Sequence, residues 1–325
     1  MIQKTIFSLA FSFFFFASFA QPKNAAPGTV TIWEQGDPDG LNPVTSTSAT
    51  ARYIQNSIFS RLLEHDPVNM KLVPQIATAL PTLEMLDKGP YKGGMSLTFE
   101  INPRAVWDDG SPITANDYIF TIKAIKNPLV NARSVRPYYE FISEIVIDPK
   151  NSRKFTIFSA QLYFLAEEAC GDLHILPEYI YDPTKIMRKF KMPDLSDLSE
   201  KNKDIIDFAN AFNDSKFERE TIVGSNAYRF VEWTTGQQVV LERKKNWWGK
   251  KKGRIQYPKK LIYKVVYDQN SAFTLAKDNQ LDVLPSIRPT SFLDMKDSKA
   301  LTDKFNFFTP PQFAYYYIGI NTKNP

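Results

Sequence analysis

The residues able to do chemistry are few and scattered. Asp108 and Asp109, within Trp107-Asp108-Asp109-Gly110-Ser111-Pro112, are adjacent carboxylates of the kind that exchange protons in acid–base catalysis. The same six residues also make a tight turn, with Asp and Gly at the special backbone angles and Pro112 fixing the exit, and the turn is the simpler account. Asp37-Pro38-Asp39-Gly40 brushes against the calcium-loop pattern. With Gly40 in the glycine place, however, the loop would begin at Gln35 and end at Ser46, where a bidentate Glu is required. The chain has two histidines, His65 and His174, and one cysteine, Cys170, which excludes a His/Cys zinc cluster, an iron–sulfur centre and an intrachain disulfide. No Gly-x-Ser-x-Gly, His-Glu-x-x-His, Gly-x-Gly-x-x-Gly or phosphate-loop motif occurs. No catalytic residue, metal ligand or cofactor is therefore assigned. A secreted hydrolase, which would have to use His65 or His174 as its base, is kept as an alternative.

Side chains suited to binding are more evident. In Arg136-Pro137-Tyr138-Tyr139, two Tyr follow a rigid Pro, and their rings and hydroxyls could face a peptide backbone; core packing of the pair is the competing account. Thr45, Ser46 and Thr47 follow a Leu-Asn-Pro turn and carry hydroxyls able to bond any peptide irrespective of its side chains. Trp33 and Glu34 stand where the first strand meets its loop. Arg243–Arg254 (RKKNWWGKKKGR) gathers seven basic residues around Trp247 and Trp248. An exposed loop explains that run, with a polyanion or membrane-surface site as a second alternative function.

The elements that hold these residues mix strand and helix throughout, which makes the class α/β or α+β. Strands are expected at Thr29–Trp33, Ser96–Ile101, Phe141–Ile147, Lys154–Phe158, Leu261–Tyr267, Leu281–Leu284 and Ala314–Ile320. Ala227–Trp233 and Gln238–Arg243 read as a hairpin. Helices are expected over Arg52–Leu63, after a capping box at Thr114 and Asp117, and over Ser271–Asn279. Between Pro183 and Glu220 the chain turns polar and reads as a crossing or inserted segment, with one amphipathic helix at Ile205, Phe208, Ala209 and Phe212. The 325 residues carry 40 Lys+Arg against 35 Asp+Glu, too small an excess to imply nucleic acid as partner. Residues 1–20 have Lys4 ahead of an apolar run from Thr5 to Phe19 and end in Ser18-Phe19-Ala20, the form of a signal peptide cleaved after Ala20. Gln21 rather than a Cys stands directly after Ala20, so a lipid anchor is not expected and the mature chain is placed in the periplasm.

Several segments, taken in order, resemble the periplasmic solute-binding proteins of the oligopeptide, dipeptide and nickel ABC transporters, solute-binding protein family 5. They are Asp39–Pro43, Asn56–Pro74, Gln75–Leu80, Leu97–Phe120 (LTFEINPRAVWDDGSPITANDYIF), Tyr228–Trp248, Leu275–Val283 and Ala314–Lys323. The family's Gly-Thr-Gly-Pro-Tyr turn reads Gly224-Ser225-Asn226-Ala227-Tyr228 here, and its glycine before an Asp reads Asn279. The resemblance implies a type II periplasmic-binding-protein-like fold of mixed sheets with flanking helices. It divides the mature chain into 21–60 as the first part of lobe I, 61–175 as an inserted subdomain, 176–305 as the remainder of lobe I, and 306–325 as the start of a truncated lobe II. It implies that Tyr138, Tyr139 and the loop at Thr45, Ser46 and Thr47 line the ligand groove. The expected partners are a peptide or other small solute and the permease subunits of an ABC importer in the inner membrane. A monomer without enzymatic activity is expected, and a chain ending at Pro325 would bind its ligand weakly or not at all.

Overall fold

The computed structural model describes residues 28–197, 201–254, 256–310, 318–320 and 322. The expected signal peptide, its cleavage site and most of the strand expected at Ala314–Ile320 lie outside them. Two four-stranded sheets dominate. The first has the order β1-β10-β9-β8, from β1 (Thr29–Glu34), β8 (Tyr228–Thr234), β9 (Gln238–Arg243) and β10 (Lys260–Val265). β1 runs parallel to β10, with Ile32 opposite Tyr263 and Glu34 opposite Val265, while β10, β9 and β8 are antiparallel. The second, antiparallel throughout, has the order β4-β5-β7-β6, from β4 (Thr82–Met85), β5 (Met95–Glu100), β6 (Glu144–Asp148) and β7 (Asn151–Ser159). A small ribbon of β2 (Leu63–His65) and β3 (Leu72–Pro74) joins the two regions of chain. This mixed α/β architecture is the class expected from the sequence.

Alternation explains the second sheet. Leu97, Phe99 and Ile101 point to one side of β5 and Phe155 and Ile157 to the same side of β7, all buried. Helix α2 (Ala115–Lys126) lies on that face, with the Tyr118 ring 4.9 Å from Phe155. Its start follows the expected capping box: the Thr114 backbone N–H donates to the Asp117 carboxylate at 2.9 Å. Burial pushes the Asp117 carboxyl up to about 6 against those hydrogen bonds.

Two expectations shift. The helix expected from Arg52 is α1 (Ala49–Ile58), because the Ser48 side chain caps it at the Ala51 N–H and Phe59 is already extended. The strand expected at Leu281–Leu284 reduces to a parallel bridge from Val283 to Ile32. The amphipathic helix expected at Ile205, Phe208, Ala209 and Phe212 is present as Lys203–Phe212 with those four residues buried, and Phe208 and Phe212 reach Phe120 and Tyr181, which folds this polar stretch onto α2. Asn279 adopts a left-handed backbone, φ +58°, which Asn tolerates better than most residues.

Candidate functional site

β1 and β10 form the one parallel pair among the described strands, and ligands of open α/β sheets bind outside the carboxyl ends of parallel strands. Glu34 occupies that end of β1. It is buried, and its Oε1 has no hydrogen-bond partner among the described residues. Burial pushes its carboxyl up to about 7, with a hydrogen bond from Thr50 pulling the other way. Thr50 belongs to the first turn of α1, which follows directly from the Ser48 cap. Two residues on, Arg52 pairs with Asp172, and its positive charge acts on the Tyr139 hydroxyl. The start of α1 is thus tied to the end of β1 through Thr50, while Tyr138 and Tyr139 belong to the short helix Arg136–Tyr139.

The two tyrosines part company there. Tyr138 is 56% exposed, whereas Tyr139 is 8% exposed and belongs to the core. Arg136 anchors the turn beneath them by donating to the Ile125, Asn127 and Val130 carbonyls. Trp33 is buried in a small cluster with Ala272, Ala276 and Leu281, and its indole N–H donates to the Val266 carbonyl at 2.8 Å. The hydroxyls of the Thr45–Thr47 loop are engaged within the chain: Thr45 donates to Glu218, and Ser46 and Thr47 donate to Asp39. Those bonds hold the Asp39 carboxyl below its usual range even though burial acts in the opposite sense. Thr50 escaped the sequence reading, which began the helix at Arg52; the Ser48 cap is the signal that could have placed Thr50 in the first turn.

The remaining chemistry-bearing residues sit elsewhere. His65 lies 3.2 Å from a Glu168 carboxylate oxygen, and His174 is buried with Asn56 at 3.0 Å. Burial holds the His174 imidazole well below its ordinary value and pushes the Cys170 thiol up to about 12. Asp109 closes its own turn by accepting from the Ser111 N–H and hydroxyl. Among the described residues no group of three or more His, Cys, Asp and Glu could hold a metal ion, and no helix is long and apolar enough to cross a membrane.

Glu34 makes stability depend on pH. Its folded value near 7 exceeds the ordinary 4.5, so between these values the folded chain keeps a proton that the unfolded chain releases. The stabilisation is complete below the unfolded value and is lost as pH rises through 7. Glu34→Gln is expected to be more stable than the parent by about 1–2 kcal/mol at pH 8, allowing for solvent screening, and nearly equal at pH 5. His174 acts oppositely, losing stability as pH falls, but it is common to both proteins and cancels in the comparison. Urea unfolding at the two pH values checks this, and a difference that does not change with pH would refute it.

Residues 71–325 match the family described as bacterial extracellular solute-binding proteins, family 5, middle. The chain is 24% identical over 302 residues to the oligopeptide-binding protein AppA of Bacillus subtilis, covering 91% of this chain and 47% of that protein. The fold is similar to that of the oligopeptide-binding protein of Thermus thermophilus, whose structure holds a pentapeptide, with a TM-score of 0.64 at 19% identity over 86% of this chain and 47% of that one. It is also similar to that of NikZ from Campylobacter jejuni in complex with Ni(L-His), with a TM-score of 0.62 at 21% identity over 85% and 46%. The chain spans about half the length of the curated relatives it matches.

Proposed function

The chain belongs to family 5 of the bacterial extracellular solute-binding proteins, and from that premise we propose that it binds a peptide or another small solute in the periplasm and delivers it to the permease of an ABC importer. The first sheet with α1 is lobe I, the sheet β4-β5-β7-β6 is its inserted subdomain, and the ligand lies against the rim formed by the end of β1, the start of α1 and Tyr138. Closure of a second lobe over that rim would exclude water and strengthen backbone hydrogen bonds to an extended ligand. The observation that carries the reading is the Glu34 carboxyl, buried with one oxygen unpartnered at the carboxyl end of the parallel pair. A buried acceptor without a donor is uncommon and costs about 1–3 kcal/mol, and a ligand N–H or ammonium would supply the missing donor. The exposed Tyr138 ring offers an amphipathic surface to the same ligand. Trp33 and Tyr139 support that rim from below, and the Thr45–Thr47 loop, braced by Asp39 and Glu218, borders it.

Trialanine titrated into the 15N-labelled protein is expected to move the amide signals of Glu34, Thr50 and Tyr138. Tyr138→Ala is expected to weaken the response about tenfold, the loss of one aromatic contact. Shifts confined to residues away from this rim, for trialanine and for longer alanine peptides alike, would overturn the reading.

A further inference from the structure

A cavity lies away from that rim. Its volume is about 440 Å³, and it opens between the Trp107-Asp108 turn of the inserted region and the Arg243–Trp248 segment that starts at the end of β9. Arg243, Lys244, Lys245, Trp247 and Trp248, from the basic and aromatic run that stands out in the sequence, therefore line a concave site. Trp247 and Trp248 are buried, and both indole N–H groups donate to the Ser225 carbonyl, at 3.0 and 3.1 Å. Ser225 is 1% exposed, and its Oγ has no hydrogen-bond partner among the described residues.

The charges around the cavity do not cancel. Lys244 sits 2.6 Å from Asp108 and donates to the Gly224 carbonyl at 2.7 Å, while Glu242 is taken by Arg229. That leaves Arg243, whose guanidinium meets the Gln256 and Tyr257 carbonyls, and Lys245, which is exposed and has no carboxylate partner among the described residues. Two cations without a carboxylate partner and a buried hydroxyl without a hydrogen-bond partner among the described residues, with a lining of indole rings, are complementary to one kind of ligand. The hydroxyl and cations suit an anionic group, and the rings suit a flat body stacked against them.

We propose that this cavity is a second binding site, separate from the solute rim, for a small aromatic carboxylate. The Ser225 hydroxyl donates to the carboxylate, Lys245 and Arg243 neutralise it, and the tryptophan rings hold the aromatic body.

The test is an NMR titration of the full chain, labelled at the indole nitrogens, with benzoate and with the neutral benzamide. Benzoate is expected to move the signals of Trp107, Trp247 and Trp248 saturably while those of Trp33 and Trp233, which lie elsewhere, stay fixed and report an intact fold. Benzamide is expected to bind at least tenfold more weakly. Ser225→Ala is expected to weaken benzoate binding about fivefold, the worth of one hydrogen bond. Lys245→Gln, on the surface, is expected to weaken it about threefold and to reduce its sensitivity to salt. Equal responses to both probes, no saturable response to benzoate, or both variants binding as the parent does would each overturn the proposal. None of these outcomes bears on the rim around Glu34.

Discussion

Tyr118→Ala is expected to lower the stability of the protein by about 3–5 kcal/mol, the range for removing a large, fully buried ring. Tyr118 has no exposed surface, its ring lies 4.9 Å from that of Phe155, and its hydroxyl donates to the Cys170 carbonyl at 3.0 Å. One side chain thereby ties α2 to β7 and to the helix Ala166–Gly171. Truncation would leave a cavity under the sheet and a buried carbonyl without its donor. Tyr118→Phe separates the two contributions, since it keeps the ring and loses only the hydroxyl, and should cost about 1 kcal/mol. Urea unfolding of the three proteins decides the matter. An alanine variant within about 1 kcal/mol of the parent would show that the site collapses around the gap.

Gly224→Ala is expected to destabilise by about 2–4 kcal/mol for the opposite reason, too much volume. A Cβ at Gly224 would lie 2.2 Å from the Ile58 carbonyl oxygen and 2.7 Å from its carbon. Both obstacles are backbone at the end of α1, so no side chain can swing aside. The turn would have to withdraw, and with it the Asn226 N–H that donates to the Ile58 carbonyl at 2.8 Å and the Asn226 amide that donates to Asn56 at 2.7 Å. Gly36→Ala is the control, because nothing lies within 4 Å of its Cβ position. Thermal unfolding should show a clear drop for Gly224→Ala and little change for Gly36→Ala. Equal midpoints for the two variants would refute the clash.

What could be read from the sequence was whatever its neighbours in sequence determine. The β8–β9 hairpin, the capping box at Thr114 and Asp117, and the alternation of β5 are all set within a few residues. The class and the family resemblance followed from those local signals in their order. Less legible was anything decided by distant parts of the chain. Nothing near Thr45 reveals that its hydroxyl meets Glu218, and nothing near Trp33 reveals that the helix Gln269–Lys277 covers its ring. Tyr138 and Tyr139 look equivalent in sequence, and only the packing beneath Arg136 turns one outward and the other inward. The Arg243–Arg254 run reads as a solvated loop, yet its tryptophans are drawn inward by a carbonyl on Ser225, a residue of the preceding turn.

The two sheets make different demands on a folding polypeptide. Every strand of β4-β5-β7-β6 comes from one uninterrupted stretch, so that unit can assemble as soon as the chain through Ser159 is free to fold. The other sheet has no such freedom, because Thr29 must wait for Lys260 before its backbone finds a partner. During that interval Val30 and Ile32 are an unpaired apolar edge, the kind of segment that holdase chaperones shield.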